Sequence, residues 1–126
     1  MTTISEIEQF LTDFKQKLDV FDIVFLNRTK NLEALLILGI TGEQRFDHIK
    51  SIETANFSSG PNKDINDTNM PDYWVFGKNL NNREIYIKIN MGTTSNPVIC
   101  MSFHESEYSM DYPLLWEREE NELSNL

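Results

Sequence analysis

The chain has little of what holds small secreted proteins together. Its 126 residues contain one cysteine, Cys100, so no internal disulfide is possible. That composition suits a reducing compartment. No apolar run approaches the roughly 20 residues needed to span a bilayer. Met1 to Phe10 carries two glutamates and no basic residue, unlike a secretory leader. The expectation is a cytoplasmic protein with no membrane association. Histidine is also scarce. His48 and His104 lie far apart and there is no Cys–His cluster, so no metal-ligand spacing is present. No glycine-rich phosphate loop occurs either, since Ser59-Gly60-Pro61 matches no such pattern. No cofactor or metal is expected.

Positive charge is the other shortage. Eleven Lys and Arg face twenty Asp and Glu, a net charge of −9. Acidic proteins repel phosphate backbones, which counts against nucleic-acid binding. The distribution matters, however. Residues 57–104 carry 4 basic and 4 acidic side chains, whereas 105–126 carry 1 basic and 7 acidic. The middle of the chain is neutral and the excess sits at the C-terminal end.

What is present is enough apolar material for a core. Hydrophobic residues make up 40% and aromatics 11%, as in a globular domain. Ile4, Ile7, Leu11, Phe14 and Leu18, widened by Phe10, form a helical stripe. Thr3 with Glu6 reads as a capping box. Val20–Asn27 predicts a short strand. Asn31–Leu38 predicts a helix with Leu32, Leu35 and Leu36 on one face, stopped by Gly39. Thr41 with Gln44 opens a further helix to about Glu53, burying Phe46, Ile49 and Ile52. Phe57–Pro71 reads as a long loop of the kind that often carries function.

Three strands follow: Tyr73–Lys78, Glu84–Asn90 and Pro97–His104. A turn at Asn79–Arg83 and a loop at Met91–Asn96 separate them. Short connections imply an antiparallel meander. The fold class is therefore α+β, helices first, in a single domain over residues 1–116. Residues 117–126 read as an acidic C-terminal tail, frayed or disordered.

Alternation sorts the strand residues into faces. Ile85, Ile87 and Ile89 share one face. Glu84, Tyr86, Lys88 and Asn90 share the other. In the third strand Ile99, Met101 and Phe103 face one way, and Val98, Cys100, Ser102 and His104 the other. Cys100 reads as a small buried residue, and His48 as a surface residue without a role. With the apolar faces packed on helices, Tyr86 and Lys88 stand beside Ser102 and His104. An imidazole moves protons near neutral pH and an ammonium stabilises charge on a phosphoryl oxygen.

Three strings carry a resemblance: ANFSSGPNKD, DYWVFGKNLNNREIYIKIN and VICMSFHESEYSMDYP. With FLTDFKQKLDVFDIVFLNRTKNLEALLILGI upstream, they resemble the MqsR-type (motility quorum-sensing regulator) toxins of bacterial type II toxin–antitoxin systems. The likeness covers roughly residues 5–114 and is strongest at Trp74–Lys78, Tyr86–Lys88 and Ser102–His104. It implies a RelE-like fold and a metal-independent endoribonuclease that cleaves messenger RNA. The ribose 2′-hydroxyl would attack the adjacent phosphorus, and a cognate antitoxin would restrain the enzyme. Tyr86 falls on the tyrosine of the family's Tyr-x-Lys motif. His104 replaces the lysine that follows Ser-Phe in better-studied members. Lys63 is the nearest match to a lysine after the helix-to-loop junction. Val75 stands where the family has glutamine, and Lys78 is the candidate to compensate.

On this reading Lys63, Lys78 and Lys88 bind phosphate. Tyr86 and His104 share the proton transfers, with His104 the acid for the leaving 5′-oxygen. Glu107 orients His104 or acts as base. The rival expectation is a non-enzymatic acidic domain that docks on a basic partner or antitoxin, favoured by the C-terminal charge.

Overall fold

The computed structural model describes residues 1–114, so the acidic tail expected at 117–126 lies outside the described residues. Helix α1 (Ile4–Val20) begins where the sequence indicates. The Glu6 amide donates to Thr3 Oγ1 at 3.1 Å and the Thr3 amide donates to Glu6 Oε1 at 3.2 Å. These reciprocal bonds satisfy donors that a helix start leaves free. Ile7, Phe10, Leu11, Phe14 and Leu18 are buried, whereas Ile4 is exposed. Each buried side chain of this size contributes roughly 1.5–3 kcal/mol by leaving water.

Strand β1 (Val24–Phe25) follows, then helices α2 (Thr29–Leu38) and α3 (Gly42–Lys50). A single 3-10 turn at Thr54–Asn56 leads into β2 (Phe57–Asn62), β3 (Tyr73–Leu80), β4 (Arg83–Asn90) and β5 (Ile99–Glu105). The class is α+β. The five strands form one mixed sheet in the order β1-β5-β4-β3-β2. β2, β3, β4 and β5 pair antiparallel in sequence, and β1 adds in parallel to β5.

Several expectations change. Strand β1 is two residues long because α1 runs on to Val20. In α2 the buried side is Asn31, Ala34 and Leu38, while Leu32 and Leu36 point to solvent. The leucine spacing misleads because the helix packs on β5 through its smaller residues. The first six residues of the expected Phe57–Pro71 loop are strand β2. Its Ser-Ser-Gly-Pro string suits an edge strand, where proline need not supply a ladder donor. Gly60 is required there, because a Cβ would stand 2.9 Å from the Trp74 ring. The turn expected at Asn79–Arg83 is tighter. Only Asn81 and Asn82 lie outside the strands, at φ 53° and 63°, as in a two-residue hairpin with both central residues left-handed.

Helices cover one sheet face. There Phe10 stacks on Trp74 with ring centroids 4.3 Å apart and 14° between planes. Ile85, Ile87 and Ile89 are fully buried in this core with Phe76 and Phe103. A β-bulge corrects the face assignment of β5. Lys88 pairs with Ser102 but Ile89 pairs with Cys100, leaving Met101 as the extra residue. Before the bulge, Val98 and Cys100 therefore join the helix-side core, and Ile99 falls in register with the other face. Beyond it, Phe103 faces the core and His104 the open side.

Candidate functional site

The face turned away from the helices is built by register. Gly77, Tyr86 and His104 lie side by side across β3, β4 and β5. One row along, Val75, Lys88 and Ser102 do the same. Strand periodicity puts both rows on one surface. The sequence-derived group of Tyr86, Lys88, Ser102 and His104 is thus brought together.

Tyr86 and His104 stack with centroids 5.7 Å apart at 20°. His104 Nδ1 lies 3.0 Å from the Glu105 carbonyl oxygen. A carbonyl only accepts, so in the neutral ring Nδ1 carries the proton and Nε2 keeps the free lone pair. Burial pushes the Tyr86 phenol above its ordinary pKa, helped by Tyr108 and Tyr73 nearby. The Tyr86 phenol therefore keeps its proton at neutral pH and has it available to donate. Burial lowers the Lys88 pKa, Asp64 works against that and Arg28 adds to it. The Lys88 ammonium sits 4.0 Å from the centroid of the Tyr73 ring, a cation–π contact that holds it at the surface of the sheet.

Two segments bound this surface. At one end the chain after β5 folds back across Gly77. Tyr112 Oη donates to Glu84 Oε2 at 2.9 Å, and the Met110 amide donates to Glu84 Oε1 at 2.9 Å. A Cβ at position 77 would stand 2.3 Å from Tyr112 Oη, so only glycine seats that phenol. At the other end the segment after β2 brings Met70 beside Val24 and Ile99. Beside Tyr86 and His104 opens a cleft of about 190 Å³, lined also by Ser106, Glu107 and Tyr108.

The remaining sequence candidates fall elsewhere. Lys78 pairs with Ile85, on the helix side of the sheet. Its ammonium donates to the His48 carbonyl at 3.2 Å and to Ser51 Oγ at 2.6 Å. It closes the end of α3, where helix carbonyls lack partners, on the opposite side of the sheet from Tyr86. Lys63 is exposed just past the end of β2. That end is the Asn62–Tyr73 pairing, two rows or more from Tyr86. Glu107 lines the cleft, but its carboxylate pairs with Lys30 of α2 rather than orienting His104. The ring is oriented by Glu105's carbonyl instead.

Sequence reasoning missed Arg28, Tyr73 and Tyr108. Arg28 precedes α2 and Tyr108 follows β5, so neither belongs to the strand pattern that revealed the others. Tyr73 opens β3 in the same alternation as Val75 and Gly77, and that signal was available. Among the described residues no three His, Cys, Asp or Glu side chains gather as metal ligands. No helix among them is long and apolar enough to cross a membrane. No protein-family model matches the chain, and neither a curated protein nor a solved structure shows significant similarity to it.

Proposed function

We propose that this protein is an endoribonuclease of the MqsR toxin kind, cutting single-stranded messenger RNA without a metal and held in check by an antitoxin. One observation carries the reading: Tyr86, Lys88 and His104 converge on one partly open sheet face beside a cleft. Transesterification of RNA needs a base, an acid and charge stabilisation, and those three groups supply them.

In this mechanism His104 Nε2 takes the proton from the ribose 2′-hydroxyl. The freed oxygen attacks the adjacent phosphorus, and the bond to the 5′-oxygen breaks. Lys88, made readier to release a proton by its burial, delivers one to that leaving oxygen. Tyr86 donates a hydrogen bond to the phosphorane oxygen, a contribution worth roughly 100- to 1,000-fold at comparable sites. The products are a 2′,3′-cyclic phosphate and a free 5′-hydroxyl. His104 thus acts as base in the first step, where the sequence alone suggested acid.

The deciding experiment is incubation of the protein with a long RNA in EDTA, beside a Tyr86→Phe/His104→Ala variant. Cleavage by the wild type only, leaving cyclic phosphate ends, is the expected result. Intact RNA in both reactions, with and without ribosomes, would remove the proposal.

A second reading, a protein-binding domain without catalysis, is favoured by the outer side of α2. Leu32, Leu36 and Ile37 are 52%, 85% and 53% exposed there, a patch of the type that marks docking surfaces. Growth arrest on expression that His104→Ala abolishes decides for the enzyme. Unaltered growth with either protein decides for the binding domain.

A further inference from the structure

Tyr108 is a large aromatic residue left 65% exposed. It is not idle surface, because its backbone is fixed. Ser106 Oγ donates to the Tyr108 carbonyl at 2.6 Å, and the Ser106 amide continues the β4–β5 ladder by donating to the Glu84 carbonyl at 2.8 Å. Two residues on, Glu84 holds the Met110 amide. The segment is thus pinned on both sides of Tyr108. Its phenol comes close enough to raise the pKa of Tyr86, and both rings line the same cleft with His104.

The charge balance asks for such a feature. Affinity for single strands comes from phosphate neutralisation and from stacking on aromatic rings. With a net charge of −9, this chain has little to offer by the first route. Around the cleft, Glu107 is paired with Lys30 and Glu105 with Arg83, leaving Lys88 and Arg28, among the described residues, as the cations near the reacting groups. Stacking is uncharged and escapes that limit.

We infer that Tyr108, which lines the same cleft as the Tyr86–His104 pair, forms with that pair a slot for one unstacked nucleobase of a single-stranded RNA, next to the phosphate that is cut. The inference rests on the endoribonuclease reading and names how the same site grips its substrate. Aromatic stacking accepts any base, so the slot supplies affinity and position rather than sequence preference.

The test separates the slot from the chemistry. The probe is a 2′-deoxy single strand carrying one 2-aminopurine, which cannot be cleaved by 2′-hydroxyl attack. Binding to wild type and to Tyr108→Phe quenches the 2-aminopurine, because both keep the ring. Tyr108→Ala loses the quench and binds roughly 5- to 150-fold more weakly. A log affinity against log salt slope no steeper than about −1.4 is expected, from two phosphates at −0.7 each. Free 2-aminopurine riboside monophosphate binds at least 10-fold more weakly than the strand, roughly the worth of the flanking contacts. Equal quench and affinity in Tyr108→Ala would overturn the slot. So would equal affinity for the mononucleotide, which would make it a nucleotide site. In either case cleavage of long RNA in EDTA still stands or falls on its own.

Discussion

The side-chain oxygen of Asn31 accepts the backbone amide of Phe103 at 3.0 Å, one residue before His104. The Asn31 amide nitrogen donates to the carbonyls of Met101 and Leu26, each at 3.0 Å. Strand β1 reaches only Cys100 of β5, so beyond that point β5 has no strand partner on its outer edge among the described residues. A primary amide has one acceptor and two donors, and at this edge it replaces the missing strand. Helix α2 thereby fixes the part of β5 that carries Ser102 and His104.

Asn31→Ala should therefore be costly, although Asn31 touches nothing in the cleft. It leaves buried backbone groups without partners, and a loss of about 3 kcal/mol is expected. Asn31→Asp should also destabilise, because it loses the two donors. Urea denaturation of the three proteins checks the order. Cleavage by Asn31→Ala should fall as well, through displacement of His104, even where the protein is fully folded.

The Tyr112–Glu84 bond makes stability fall at alkaline pH. Burial and the Glu84 carboxylate both raise the Tyr112 pKa above its ordinary value of 10.0. The folded state then holds this proton more tightly than the unfolded state. The stabilisation is complete below the unfolded pKa and is lost as pH rises past about 10 towards the folded value. Tyr112→Phe should lower stability near neutral pH by about 1 kcal/mol. It should also flatten the decline between roughly pH 9 and 11. Thermal melts across that range, for both proteins, decide it. The same decline in the variant would assign it to other groups.

Cys100 should be chemically silent in the folded protein. It is buried in the helix-side core, and its thiol pKa is pushed up to about 12 by desolvation. The thiolate is the reactive form, so both access and ionisation are withheld. Native protein should resist a disulfide reagent at pH 8 over hours, and urea should release one thiol per chain. Rapid labelling without urea would show that β5 opens locally.

How much of this was legible in the sequence depends on how local each signal was. Thr3 and Thr41 each have their capping partner three residues on, and both capping boxes form. The alternation of Ile85, Ile87 and Ile89 placed Tyr86 and Lys88 correctly, because β4 is regular throughout. The bulge at Met101 reversed the faces of Val98 and Cys100, and nothing local announces it. Lys78 was misplaced for a different reason. Its strand position faces the helices by the same alternation as Trp74 and Phe76, but it was chosen to stand in for the glutamine that Val75 replaces, without regard to its face. Tyr108 and Arg28 reach the site only through the path of the chain in three dimensions.

Lys78 and Lys88 stand on opposite faces of one sheet, each partly desolvated, and each with its pKa lowered mainly by burial. Lys78 spends its protons on the His48 carbonyl and Ser51 at the end of α3. Lys78→Met keeps the length of the stem but loses those bonds, so a cost of about 1 kcal/mol is expected. Cleavage per folded molecule should not change. Lys88→Met has the reverse profile. It removes no hydrogen bond to a helix end and relieves the desolvation of a charge, so stability should hold or rise. Cleavage should fall roughly 100-fold or more, as for loss of a general acid. Urea midpoints and RNA cleavage rates, measured on the same preparations, test both at once. If Lys78→Met lost cleavage while keeping its urea midpoint, RNA would be reaching the helix side of the sheet, and the site would have to be moved there.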